Sequence, residues 1–370
     1  MATPPWEGGD VPGERVVVIG GGIVGASVAL HLAEGGADVL VVDDARPGRA
    51  TYAGAGIVAP PWRSPGSPIF ELRAHAVAAY PELAARIGAP FEVIGELFAA
   101  PPGPALDETS EALAASGLGP EVLEPEAARA AFPYLAPHLA AARVGTTARV
   151  EGDRIRDGLL DAARRAGAEV VTGAAQVLLG AGRVDGVEVD GRRHEASTVV
   201  VAAGAWSAEL VAAAGHRLAV APQKGQILHL GVAEDTASLP VVQPIGADHY
   251  LLPFSDRRVV VGATRETGSG FDLRLTAGGV LEVLADALSV APGLATADIR
   301  DRRVGLRPLS ADGEPLLGPV PGTAGLWVAS GMGPQGLTIG PYSGRLVAEA
   351  VLGRDSEVDI RPFAVDRPLA

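Results

Sequence analysis

Three glycines at fixed spacing between two apolar runs constrain this chain more than any other feature. Residues 16–43, VVVIGGGIVGASVALHLAEGGADVLVVD, read as strand, tight turn, helix and second strand, with Gly20, Gly22 and Gly25 forming a GxGxxG pattern at the turn. Each glycine answers a separate steric demand: Gly20 permits the tight turn, Gly22 lets the backbone approach a pyrophosphate, and Gly25 lets the helix pack close to the strand. The helix N-terminus, at Ile23 and Val24, offers free N–H groups and a partial positive charge to phosphates. Asp43 follows Gly25 by 18 residues at the end of the second strand, where a carboxylate accepts from ribose hydroxyls and repels a 2′-phosphate. Glycines that served packing alone would not need strand, helix and acid in this register.

A chain of 370 residues exceeds one ordinary domain and suits two. Its net charge of −14 argues against a nucleic-acid surface, which needs basic patches, so a carboxylate substrate has to be held by a few local arginines. The absence of cysteine excludes disulfides, thiolate metal sites, thiol catalysis and a flavin tethered through sulfur. The seven histidines lack metal-ligand spacing, and neither a GxSxG elbow nor a P-loop occurs, so no metal, serine-hydrolase or P-loop chemistry is expected. Residues 1–14 are polar, acidic and rich in proline and glycine, unlike a signal peptide. Residues 16–30 form the one uncharged apolar run, too short and too glycine-rich to span a membrane. A cytoplasmic protein is therefore expected.

Beyond the fingerprint, residues 46–61, RPGRATYAGAGIVAPP, are too rich in small and turn residues for a regular element, and Gly48, Gly54 and Gly56 permit close approach to a ligand. Helical spacing follows over 67–87, with Pro81 as a kink, then a strand over 91–99 and short helices over 107–115 and 124–131. An amphipathic helix over 154–166 leads to a strand at 169–172 and a hairpin over 175–189 that turns at Gly182 or Gly186. Val177 in that hairpin is a candidate backbone contact for an adenine. The strand 198–202 runs into small residues, Ala202 to Trp206, that can lie against a cofactor. A β-rich block from 221 to 264 and a helix over 280–290 precede a last strand, 326–330, which enters a glycine-rich loop and a helix over 341–351.

These pieces in this order resemble the D-amino-acid oxidase superfamily of flavoproteins, most closely glycine oxidases and small D-amino-acid oxidases. The resemblance rests on the fingerprint, RATYAGAGIVAP, VVVAAGAW, PQKGQ, and RPLSADGEPLLGP followed by GMGPQGLTIGPYSG, and covers residues 15 to 353. It implies an α/β fold with a Rossmann-type FAD-binding domain and a mostly antiparallel substrate domain. The former would be assembled from 15–85, 146–220 and 304–358, the latter from 86–145 and 221–303, with flexible ends at 1–14 and 359–370. It implies noncovalent FAD contacted by Asp44, Arg49, Ala50, Thr51, Gly54, Ala55, Gly56, Ala203, Gly204 and Trp206 in addition to the fingerprint residues. Gly331, Met332, Gly333, Gln335, Gly336, Leu337 and Thr338 would lie beside the pyrimidine end of the flavin, where backbone N–H groups stabilise the charge of the reduced ring.

The resemblance also places the substrate. Arg307, held extended by Pro308, would anchor a carboxylate through two parallel bonds and border the flavin, in competition with Arg302 and Arg303 for that role. Tyr250 matches a tyrosine that assists the same carboxylate, while strand alternation turns His249 to the other face. Met332 departs from the histidine of many relatives and reads as a gap filler. The implied reaction oxidises the Cα–N bond of glycine, sarcosine or a D-amino acid by hydride transfer to FAD, with O2 as acceptor and no general base required. A dehydrogenase with another acceptor, a 2-hydroxy-acid oxidase, a flavin-binding subunit of a larger complex and an NAD-dependent reductase are the alternatives. No nucleic-acid or membrane partner is implied, and a homo-oligomer is compatible with the reading.

Overall fold

The computed structural model describes residues 13–368. Strand β1 (Arg15–Ile19), helix α1 (Ile23–Glu34) and strand β2 (Asp38–Asp43) form as the apolar pattern dictates. β1 lies at the middle of a six-stranded sheet ordered Leu316–Pro319, Leu326–Ser330, Thr198–Val201, β1, β2, Glu169–Thr172. All pairings are parallel except that of the edge strand Leu316–Pro319. Val16, Val17 and Val18 have no solvent exposure, as expected of parallel strands covered on both faces. One face packs on α1 and the helices Gly152–Arg165 and Gly336–Val351. The other meets the antiparallel meander Ala175–Gly180, Arg183–Val189 and Arg192–Glu195.

A second sheet of nine strands is antiparallel except where Val241–Pro244 runs parallel to Glu96–Ala100. Its spine is the pair Val220–Gly231 and Asp298–Ser310, matched from Val220 opposite Ser310 to Gly231 opposite Asp298. The helix Ala277–Val290 covers this sheet with Leu97, Leu228, Val259 and Val283 in the core between them. Residues 304–310 thus lie within the second sheet, and an expected boundary at 304 falls inside a single strand.

The structure refines these expectations in several places. The run 91–99 is two strands, Glu92–Val93 and Glu96–Ala100, because Gly95 takes φ 75° between them. Residues 46–61 contain a one-turn helix, α2 (Ala50–Ala53), and a short strand, β3 (Ile57–Val58). The meander turns at Gly182, whereas Gly186 is required by a close crossing: a Cβ there would lie 2.0 Å from the His194 carbonyl oxygen.

The last helix begins at Gly336 and carries Pro341 inside it. Proline has no N–H to give the carbonyl four residues earlier, and the freed Leu337 oxygen accepts instead from the Tyr80 hydroxyl at 2.9 Å. Tyr80 comes from α3 (Pro68–Ile87), so the two helices are joined where the ladder is broken. The segment expected to be flexible beyond 359 is docked as far as it is described. Ile360 and Phe363 are buried, and Arg367 pairs with Asp312 at 2.8 Å. Expectations for residues 1–12 and 369–370 lie outside the described residues.

Candidate active site

One cavity of about 750 Å³ opens at the carboxyl ends of the parallel strands and reaches across to the second sheet. This is the crevice where open α/β sheets take ligands, and the volume lies in the usual range for such sites. At its first end the fingerprint glycines divide by role. A Cβ on Gly25 would lie 1.9 Å from the Gly20 carbonyl oxygen, and one on Gly20, which has φ 107°, would lie 2.5 Å from the Ala202 oxygen. These two hold the protein's own backbone together. A Cβ on Gly22 would meet only Thr51 Oγ1, at 3.4 Å, so Gly22 keeps open space for something else.

The α1 N-terminus has no acidic residue in its first turn, and the Ile23 N–H donates to Thr51 Oγ1 at 3.1 Å. The Asp43 carboxylate accepts from the Ala45 N–H and pairs with Arg49 at 3.5 Å. Asp44 pairs with Arg46, whose guanidinium lies over the Trp206 ring. Ala50, Gly54, Ala55, Gly56, Ala203, Gly204 and Val24 also line this space. Val177 and Gly331 do not. The Val177 backbone pairs with Val187 and its side chain enters the core, leaving the wall to Gly173, Ala174, Ala175 and Gln176. Gly331, at φ 76°, turns the chain against Leu316, and Met332, Gly333, Gln335, Gly336, Leu337 and Thr338 form the wall. Met332 is buried in the main core, and Thr338 donates to the Ile57 oxygen.

At the far end Arg307 lies on Asp298–Ser310, opposite Gln223. Its guanidinium crosses flat over Gly225, where a Cβ would come within 2.7 Å of two of its nitrogens. It donates to the Thr264 carbonyl at 3.0 Å and has no acidic partner within salt-bridge distance among the described residues. Loss of hydration lowers its pKa, with the nearby Arg265 acting in the same direction. Tyr250 starts the strand Tyr250–Phe254, and burial pushes its phenol up to about 12 although Arg307 and Arg265 oppose this.

His249 lies one residue before that strand and so escapes its alternation: it lines the cavity too, 3.8 Å from Asp286, with Nε2 buried and unbonded. Arg302 and Arg303 are absent from the lining, and Arg303 instead donates to the Tyr52 carbonyl. The lining also includes Arg73, Gln243, Asp248 and Arg265, which no spacing argument singles out. Asp248 and Arg265 are paired at 3.0 Å. Among the described residues no group of three or more metal-ligating side chains occurs, and no helix is long and apolar enough to cross a membrane.

Residues 15–350 match the family described as FAD dependent oxidoreductase (DAO). The chain is 34% identical over 369 residues to glycine oxidase from Pseudomonas putida, covering 95% of this chain and 98% of that protein. Among solved structures, iminodiacetate oxidase from Chelativorans sp. BNC1 superimposes with a TM-score of 0.90 at 39% identity, over 95% of this chain and 99% of that one. Glycine oxidase from Geobacillus kaustophilus gives a TM-score of 0.84 at 29% identity, over 96% and 100% of the two chains. Fold and cavity together define an oxidoreductase built around a flavin dinucleotide. The chain belongs to the DAO family of FAD-dependent oxidoreductases, and FAD is its cofactor.

Proposed function

We propose that this enzyme oxidises the Cα–N bond of a small amino acid such as glycine, sarcosine or a D-amino acid, and that it does so in the cytoplasm with oxygen as final acceptor. The observation that carries the reading is Arg307, a partly buried cation with no acidic partner within salt-bridge distance among the described residues, at the end of the cavity opposite the fingerprint. A partly buried guanidinium whose partners are neutral oxygens recovers only part of its lost hydration until an anion arrives. The likeness to glycine oxidase and iminodiacetate oxidase supports an amine that carries a carboxylate.

The cavity fits FAD: the space above Gly22 and the acid-free α1 terminus suit a pyrophosphate, and Asp43 suits a ribose. Gly333, Gly336 and Leu337 would border the ring. Bound there, FAD would supply a two-electron oxidation in which hydride leaves the substrate carbon and the electrons pass on to oxygen as H2O2, the substrate becoming an imine that water converts to a 2-oxo acid and ammonia or an amine.

The chain's own contribution is placement. Arg307 holds the carboxylate, the Tyr250 hydroxyl stays protonated and donates to it, and Ile57, Ile227 and Met332 supply apolar walls that exclude water. Anaerobic titration of the yellow protein with amino acids tests this: glycine, sarcosine or a small D-amino acid should bleach the flavin band, and air should restore it with one peroxide per turnover. Arg307→Ala should keep FAD yet lose about 2–5 kcal/mol of substrate interaction in kcat/KM. A wild-type flavin that no amine bleaches, or unchanged kinetics in Arg307→Ala, would refute the assignment.

A further inference from the structure

Arg307 is not the only cation with donors to spare in this cavity. Arg73, on α3, lines the cavity and is tethered through Nε, which donates to the Ala59 carbonyl at 2.9 Å. Its two terminal nitrogens make no hydrogen bond or ion pair to a described residue. Gln243, on the strand Val241–Pro244, lines the same cavity, and its side-chain amide likewise has no partner among the described residues. The antiparallel pairing of Val242 with Leu251 sets Gln243 beside Tyr250, and the Ala59 carbonyl that holds Arg73 directly follows the strand Ile57–Val58, whose Ile57 packs on the same apolar cluster as Tyr250, so both donors lie toward the Tyr250 side of the cavity.

The other cavity arginines are already neutralised: Arg265 by Asp248 at 3.0 Å, Arg49 by Asp43 at 3.5 Å and Arg46 by Asp44. The acid with the strongest influence on Arg73 is Glu96, which forms no ion pair with it and accepts from the Thr147 hydroxyl. A partly buried cation and amide that face one cavity with donors unused are suited to an anion that supplies the missing acceptors.

We propose that Arg73 and Gln243 form a second carboxylate subsite, and that the preferred substrate is an amino or imino acid with two carboxylates, one on Arg307 and the other on Arg73. The inference rests on the amine-oxidase reading above and narrows it. Arg307 orients the carboxylate next to the reacting carbon, while Arg73 selects what the far end of the molecule carries.

The test compares substrates that differ only in the second charge, D-aspartate against D-asparagine and iminodiacetate against its monoamide, on flavin-loaded enzyme. Wild type should favour one of the diacids by on the order of 30-fold or more in kcat/KM, the worth of one charge-assisted contact. Arg73→Met should abolish that ratio by lowering kcat/KM for the diacid far more than for the amide, with FAD content retained, Arg73→Lys should restore part of it, and Arg265→Met should leave the ratio in place. Equal turnover of acid and amide by wild type, or a ratio that vanishes in Arg265→Met and persists in Arg73→Met, overturns the second subsite and leaves the amine-oxidase reading standing. A flavin that none of these amines nor glycine can bleach overturns both.

Discussion

The three fingerprint glycines look alike in the sequence and differ in what a methyl group would strike. At Gly25 the obstacle is a backbone oxygen 1.9 Å away, which cannot move without parting the helix from the strand. At Gly22 the nearest atom is a hydroxyl at ordinary contact distance. Gly25→Ala should therefore cost about 3 kcal/mol or more of stability. Gly22→Ala should melt like wild type and bind FAD far more weakly, read as the flavin-to-protein ratio after gel filtration; a full complement of flavin in that variant would remove Gly22 from the cofactor site. At this scale Arg307 is legible because it precedes a proline in a recognisable segment. Arg73 is not, since an arginine among the alanines of a helix carries no mark of which face meets a cavity. Val177 shows the same limit, since it pairs with Val187 and faces the core while Gln176, one residue earlier, lines the cavity. Hydropathy shows where the strand lies but not where its neighbour crosses it.

Among elements, the junction of α3 with the last helix shows how a rule broken in one helix is mended by another. Pro341 frees the Leu337 carbonyl and Tyr80 satisfies it. Tyr80 is wholly buried, which raises its pKa and keeps the hydroxyl a donor. Tyr80→Phe should then cost about 1–3 kcal/mol, because a buried acceptor is left unmet. In Pro341→Ala the backbone N–H can take over that carbonyl, so Tyr80→Phe should cost distinctly less in the Pro341→Ala background. Urea unfolding of the four proteins closes the cycle, and strictly additive losses would show the two residues to be independent. Most strands and helices could be read from apolar periodicity. The helix start at Gly336 could not, because a proline five residues on reads as a boundary and its compensation comes from more than 250 residues away in the chain.

For the molecule as a whole, stability should carry the imprint of Glu96, a carboxyl in the second sheet with 2% exposure. Burial pushes it from the ordinary 4.5 up to about 7, with the Thr147 hydrogen bond and Arg73 opposing the rise. Between those values the folded protein holds a proton that the unfolded chain has released, so the fold loses stability as pH rises from about 4.5 to 7, by up to about 3 kcal/mol. Glu96→Gln keeps an acceptor for Thr147 and should gain on wild type by that amount at pH 8 but not at pH 4.5; parallel denaturation curves for the two proteins across that range would contradict it.

The division into two sheets is legible in the order of motifs. The crossing point is less so, since Asp298–Ser310 runs unbroken through the expected border. That strand belongs to one sheet, while the dinucleotide motif belongs to the other, and the contacts between them include the Leu306 N–H on the Gly48 carbonyl and the backbone bridge of Leu309 with Met332. Under the proposed function, Arg307 and Tyr250 grip the fuel from one scaffold and the fingerprint grips the oxidant from the other, with Arg73 the proposed fuel contact on the oxidant's side. A lineage built on this plan can retune its diet by altering one scaffold while the other goes on gripping the same redox coenzyme.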